Sequence, residues 1–347
     1  MKNNILIDRL SESHILTHEE YVQLLSSWNE EDRAYAREKA ESYSDLSFHH
    51  QVYVRGIVEF SNYCRNDCLY CGIRRSNKDL ERYRLDEETI LSCCEAGHGI
   101  GYRTFVLQGG EDMGYSDRLM AHTIHAIKER FPDSAITLSL GERPPESYLL
   151  FKEAGADRYL LRHESADSAH FAKLHPASQV LSTRMACLHT LKRLGFQTGA
   201  GMMVGSPYQS ADNLATDMEF LQSFRPEMVG MGPFIPHHCT PLRDFPAGSV
   251  PLTLFLLSLV RLMLPSAMIP ATTALGTVEA DGRLKGIQEG ANVIMMNLSP
   301  FSTRKDYLLY DQKRETNDRR LTSVQELDDK LRTIGYRALS ARGDYHA

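Results

Sequence analysis

The sequence predicts an α/β chain folded as a (β/α)8 TIM-type barrel over residues 51–310, with a helical extension before it (1–50) and another after it (311–347). Three observations predict this. Eight short β-prone runs recur between residues 51 and 310, most of them separated by amphipathic stretches long enough for a helix. The chain has 347 residues, enough for one barrel of roughly 250 residues with extensions. Polar groups collect behind the C-terminal ends of the eight runs, where a barrel holds its chemistry. An open doubly wound sheet uses the same alternation and is the competing architecture.

The first fifty residues read as helices. Thr17 and Glu20 have the spacing of a capping box, and the charged run from Asn29 to Glu41 suits a solvated helix face. The strand candidates then follow in order: 52–60, 104–110, 135–141, 158–164, 197–205, 228–234, 268–275 and 292–298. Helical spacing fills 87–96, 117–130, 145–154, 181–194 and 211–223. The apolar stretch Leu252 to Leu264 contains Arg261 and falls short of the ~18 to 20 residues of a membrane span, so it reads as a buried helix. The charged tail from Gln312 is expected as helix and surface extension.

Composition narrows the function. A formal net charge of -6 without a long Lys/Arg run argues against a nucleic-acid footprint. The opening residues lack a basic-then-apolar signal pattern, and a cytoplasmic protein with no membrane partner is expected. Seven cysteines are present, three of them within eight residues, and a disulfide framework is a poor explanation for that cluster.

Cys64, Cys68 and Cys71, spaced C-x3-C-x2-C on the loop leaving the first strand, suit three irons of a 4Fe-4S cubane with the fourth left open. Zinc competes, but structural zinc wants a closed set of four ligands, and no fourth is evident nearby. The spacing also differs from that of storage ferredoxins. His163, His237, His238 and Cys239 could form a metal cluster or simply a loop. Cys93, Cys94 and Cys187 fall in helices and read as packing residues.

With Tyr70 before the last cysteine, the motif resembles the signature of the radical S-adenosylmethionine (SAM) superfamily, and LQGGED (107–112) resembles its glycine-rich element after strand two. The stretches EFSNYCRNDCLYCGIRRSNKDLERYRL (59–85), TLSLGE (137–142), AGADRYLLRHES (154–165), TGAGMMVG (198–205), GMGPFIPH (230–237), PATTALGT (270–277) and GANVIMMNLSP (290–300) narrow it. They are similar, in the same order, to the HydE family of iron-only hydrogenase maturases, relatives of biotin synthase and methylornithine synthase.

The resemblance implies that SAM chelates the open iron and is cleaved reductively to a 5'-deoxyadenosyl radical. That radical would act on an organometallic iron precursor carrying carbon monoxide, cyanide and cysteine, made by the maturase HydG, with the scaffold HydF receiving the product and reduced ferredoxin or flavodoxin supplying electrons. A methylornithine-synthase-like or biotin-synthase-like relative acting on an amino-acid-derived substrate is one alternative, and a non-catalytic iron–sulfur or zinc protein that uses the three cysteines only structurally is the other. SAM contacts are implied for Tyr70, Gln108, Gly109, Thr137, Ser139, Glu164, Arg184 and Met203. The substrate end is expected at Arg158, Arg162, Thr272, Thr273, Met295, Tyr307 and Tyr310, where a structural ion pair is the alternative for the arginines. Some HydE proteins carry further cysteines near the C-terminus for an auxiliary cluster. No cysteine follows Cys239 here, so one 4Fe-4S cluster is expected.

Overall fold

The computed structural model describes residues 2–313 and 320–346. Three helices come first: α1 (Asn3–Ser13), α2 (His18–Ser27) and α3 (Glu30–Phe48). The Thr17 hydroxyl accepts the Glu20 N–H while the Glu20 carboxylate accepts the Thr17 N–H, which is the expected capping box. Asn29 and Asp32 repeat the arrangement at α3. These helices clamp the outside of the barrel, where the Tyr21 hydroxyl donates to Gln222 at 2.8 Å and Trp28 stacks on Phe255 at 5.1 Å.

The barrel follows as β1 (Gln51–Ser61), α4 (Glu87–Gly99), β2 (Thr104–Gly109), α5 (Asp117–Arg130), β3 (Ala135–Ser139), α6 (Pro145–Glu153) and β4 (Arg158–Leu160). It continues with α7 (Ser168–Leu174), α8 (Leu181–Arg193), β5 (Gln197–Ala200), β6 (Met203–Val204), α9 (Ala211–Phe224), β7 (Met228–Val229), β8 (Gly232–Pro233) and α10 (Val250–Met263). β9 (Pro270–Ala271), α11 (Thr273–Val278), α12 (Gly282–Gln288), β10 (Val293–Asn297) and α13 (Phe301–Arg304) complete it. Strand order is β7-β5-β4-β3-β2-β1-β10-β9, with every pairing parallel. The Val229 N–H donates to Met268 O at 3.1 Å and the Met268 N–H to Glu227 O at 3.0 Å, closing the ring. This closure excludes the open sheet.

Side chains alternate across each strand. Phe105, Leu107, Ile136 and Leu138 join the apolar layer under the helices, while Gln108 and Ser139 share a register level on the opposite, inward face. The fifth and sixth strand candidates are each split. Gly201 (φ 151°) breaks the first, because a Cβ there would lie 1.9 Å from Gly230 O, and the detached halves β6 and β8 form a separate parallel ribbon. α10 is buried along almost its whole length; Arg261 on it gives its protons to the carbonyls of Gly290, Pro265 and Ala267 at 2.7–2.9 Å. No helix among the described residues is long and apolar enough to cross a membrane.

The tail corrects one expectation. It holds α14 (Val324–Arg332), but also β11 (Arg337–Leu339), which pairs parallel with the start of β1, and residues 340–345 then run beneath the barrel. There the Arg158 Nη2 reaches Asp344 Oδ1 at 2.5 Å and Arg342 O at 2.7 Å. The extension is therefore a plug for the N-terminal end of the barrel as well as a helix.

Candidate active site

The cysteine loop leaves β1 and is held by glycines that admit no side chain. A Cβ on Gly110 would fall 2.2 Å from Tyr63 O and 2.8 Å from Cys64 Cβ; one on Gly72 would fall 2.2 Å from Leu308 O and 2.3 Å from the His237 ring. Backbone bonds tie the loop to its neighbours: Arg65 N–H to Glu111 O at 3.0 Å, Leu69 N–H to Leu174 O at 2.9 Å, and Gly72 N–H to Leu309 O at 2.8 Å. The element after β2 works as a staple. Glu111 accepts from Arg65 Nε and from the Glu142 N–H, both at 2.8 Å, and Asp112 takes Arg84 in a bidentate pair at 2.6 and 2.8 Å.

Cys64, Cys68 and Cys71 are free thiols of intermediate burial. Burial pushes all three thiols up, Cys71 to about 12, and for Cys68 and Cys71 the neighbouring sulfurs add to it. Three crowded sulfurs that resist ionisation in isolation become thiolates when a cation sits among them. The set fits three ligands of an iron–sulfur cluster. Tyr70 joins Met203, Leu174, Phe234 and Leu242 in a small apolar group at the mouth, so the structure brings together two residues expected beside SAM. The Tyr70 ring meets His175 edge-on at 5.4 Å, and burial holds that imidazole down to about 3, hence neutral.

Glu164 sits in the left-handed region at φ 65°, a strained conformation for a side-chain-bearing residue that costs ~1–3 kcal/mol. Its N–H donates to Gly201 O at 3.0 Å, and its Oε2 lies 3.0 Å from Arg162 Nη2 without hydrogen-bond geometry. Arg162 Nε and Nη2, Glu164 Oε2, Thr137 Oγ1 and Thr272 Oγ1 are buried atoms with no hydrogen-bond partner. Such atoms are rare in folded proteins and call for an explanation, a bound ligand being one. Gln108, Ser139, Arg162, Thr272 and Asn297 keep partial exposure although they belong to the barrel strands or the segments leaving them, so the upper interior is open. Tyr307 is fully buried; Gln108 hydrogen-bonds its hydroxyl, which burial pushes well up. Tyr310 is half-buried on the same segment.

Other expected residues are differently employed. Arg184 is clamped by Glu142 at 2.5 Å and donates to Arg162 O at 2.8 Å; burial opposes its charge, but Glu142 outweighs that and holds it above the usual arginine range. Thr273 Oγ1 accepts from Arg283 at 3.1 Å. Met295 packs with Met228, Met268 and Tyr53 in the lower barrel. Arg158 is a correction. As the first residue of β4 it lies at the floor, fully buried, satisfied by Asp344, Gln197 (3.0 Å) and Thr104 (3.2 Å), and it does not face the substrate end.

His237, His238 and Cys239 bring ligand atoms within 4.8 Å of one another. The Cys239 N–H donates to His237 Nδ1 at 3.1 Å, which leaves the proton on Nε2, so that nitrogen faces Asp311 as a donor and not as a metal ligand. The trio ties its loop to the segment after α13 through His238 and Asp311 (2.7 Å). The sequence reading missed Arg55, an inward arginine on β1 at the level of Met295, whose Nη2 donates to Gly343 O at 3.3 Å. It also missed the Glu59 carboxylate, held by Asn297 at 2.9 Å and by Lys313. A charge at an inward position of a β-prone run was the available signal for both.

Residues 58–221 match the radical SAM superfamily. The FeFe hydrogenase maturase subunit HydE of Thermotoga maritima is 48% identical over 263 residues, 76% of this chain and 75% of the relative. The 3-methylornithine synthase of Methanosarcina barkeri is 28% identical over 91% of this chain and 89% of the relative. The crystal structure of methylornithine synthase (PylB) superposes with a TM-score of 0.85 at 27% identity, covering 96% of this chain and 97% of that one.

Proposed function

The chain belongs to the radical SAM superfamily and, within it, to the HydE family of FeFe hydrogenase maturases, and we propose that it acts on a cysteine-bearing iron carbonyl/cyanide precursor of the hydrogenase di-iron subcluster. Cys64, Cys68 and Cys71 hold one 4Fe-4S cluster in this reading. Bound together, cluster and SAM supply a 5'-deoxyadenosyl radical through one-electron cleavage of the sulfonium bond. The protein's part is to place the reacting groups and to keep water out.

Tyr70 and Met203 offer an apolar wall for the adenine. Glu164, aimed by its left-handed backbone, is assigned to the amino or ribose side of SAM. Arg184 braces that wall through Glu142 and the Arg162 carbonyl. Gln108, Gly109, Thr137 and Ser139 line the strand ends between cluster and interior. Beyond them Arg162 and Thr272, with Tyr307 and Tyr310, form the substrate end. The single observation that carries the reading is the three-cysteine loop at a barrel end where Arg162 Nε and Thr272 Oγ1 are buried without a hydrogen-bond partner. A cyanide-bearing or anionic ligand meets that demand. HydG as source of the precursor, HydF as acceptor of the product and a reduced ferredoxin or flavodoxin as electron donor belong to the same proposal.

The deciding experiment is anaerobic reconstitution and dithionite reduction, with electron paramagnetic resonance (EPR) recorded with and without SAM, a 5'-deoxyadenosine assay, and maturation of apo-hydrogenase beside HydG and HydF. A SAM-shifted signal of one cluster with hydrogenase activation supports the reading; a SAM-shifted signal with no activation sinks the substrate assignment. The match to methylornithine synthase along nearly the whole chain favours a second reading, an amino-acid-derived substrate. Formation of 3-methylornithine would establish it.

A further inference from the structure

Residues 175–180, between α7 and α8, lie across the cysteine loop as a strap. Its anchor is His175, whose Nδ1–H donates to Phe171 O at 2.9 Å and whose ring stacks on Phe171 at 3.8 Å. Nε2 is thereby left as an acceptor, and the Tyr70 hydroxyl donates to it at 3.3 Å. A turn from Gln179 N–H to Pro176 O (2.9 Å) then carries Gln179 over the second cysteine.

Two observations meet at Gln179. The Cys68 Sγ lies 3.2 Å from Gln179 Oε1, and Gln179 Nε2 is buried with no hydrogen-bond partner. A thiol can donate to an amide oxygen, but a thiolate ligating iron has no hydrogen and only accepts. Against a cluster-bound Cys68 the oxygen would face sulfur lone pairs. A half-turn about the terminal torsion, which is soft and roughly two-fold, presents Nε2 to the sulfur instead. The same turn removes the orphaned donor, the costlier kind of unmet buried group, and leaves an under-satisfied carbonyl in its place.

We propose that Gln179 is a positioning residue for the cluster: its side-chain amide donates an N–H hydrogen bond to the Cys68 sulfur and raises the cluster's reduction potential. The inference rests on the cluster assignment above. Its direction follows from charge, because reduction adds an electron to the cluster and a donor aimed at sulfur stabilises the more negative form. The strap thus sets how strong a reductant the enzyme requires.

The test uses the reconstituted holoenzyme and an EPR-monitored redox titration of wild type, Gln179→Leu and Gln179→Glu, with iron content measured alongside. The Leu variant is expected to keep its iron and titrate at a more negative potential. In the Glu variant the potential should fall as pH rises through the carboxyl range, since the protonated acid donates to sulfur and the carboxylate cannot, while the wild-type potential shows no such step. Wild-type potential in Gln179→Leu, or a pH-independent potential in Gln179→Glu, overturns the proposal. If the Leu variant holds no iron, the pH series on the Glu variant decides. A wild-type preparation that forms no cluster refutes the cluster assignment itself, a failure visible before any variant is compared.

Discussion

The two ends of this barrel employ their inward arginines differently. At the floor Arg158 makes four hydrogen bonds, to Gln197, Thr104, Arg342 O and Asp344, and Asp344, Arg342 and Asp157 interlock around it at 2.5–2.8 Å, although Arg55, which also reaches the tail, keeps a buried Nε without a partner. At the mouth Arg162 Nε and Thr272 Oγ1 are buried without a hydrogen-bond partner, Arg162 Nη2 and Glu164 Oε2 meet only each other, at 3.0 Å and without hydrogen-bond geometry, and Glu164 is strained as well. One end is braced by the tail, and in the proposed function the other is completed by a ligand. An arginine inside a barrel is thus not evidence of a site until its height and its partners are known.

The largest effect that would test this contrast comes from the mouth. Cys68→Ala should abolish 5'-deoxyadenosine formation and the iron–sulfur absorbance while far-UV circular dichroism keeps the barrel signature. Retained iron and activity would remove Cys68 from the ligand set. Arg162→Leu should lower maturation at least about tenfold, ~1.4 kcal/mol of transition-state stabilisation. SAM affinity, measured separately by calorimetry, should change little, and unaltered maturation would defeat the substrate role.

The floor should answer in stability instead. Asp344→Asn leaves a buried guanidinium short of its carboxylate; because Asp344 is itself a quarter exposed, the expected cost is about 2 kcal/mol, below the range for a fully buried pair. Urea unfolding of the variant checks it, with specific activity of the folded fraction unchanged. Burial alone would raise the Asp344 and Asp157 carboxyls, but their cationic partners, Arg342 and Arg158 for the first and Lys128 and Arg342 for the second, hold both below 3.8. A carboxyl depressed in the folded state stabilises it above the unfolded value and loses that contribution as pH falls through the folded value. Wild type should therefore lose stability faster than Asp344→Asn below about pH 4. The smallest effect belongs to Thr272→Val. Its orphaned hydroxyl contributes no bond to the fold, so the unfolding free energy should move by less than about 0.5 kcal/mol while maturation drops a few-fold.

The order of the strands and the cysteine loop were legible because their signals are local. Alternation repeats within each run, and three ligands within eight residues are read together. What stayed hidden is long-range. The partner of Arg184 is 42 residues away at Glu142, Gln179 is 111 from Cys68, and Asp344 is 186 from Arg158. Sequence periodicity tells that Arg158 points inward; its height depends on where β4 begins, and that is set by pairing with β3 and β5. The splitting of the fifth strand followed from one glycine at φ 151°, which a run of small and apolar residues does not announce.

The plug has a consequence for how the molecule is made. During synthesis the ribosome delivers β4, with its inward arginine, long before residue 344 emerges, so the barrel must wait with an unmet charge at its base. Such a sequence-distant contact makes final closure slow and late. A chain cut before residue 342 would leave that arginine without the tail's carbonyl and carboxylate.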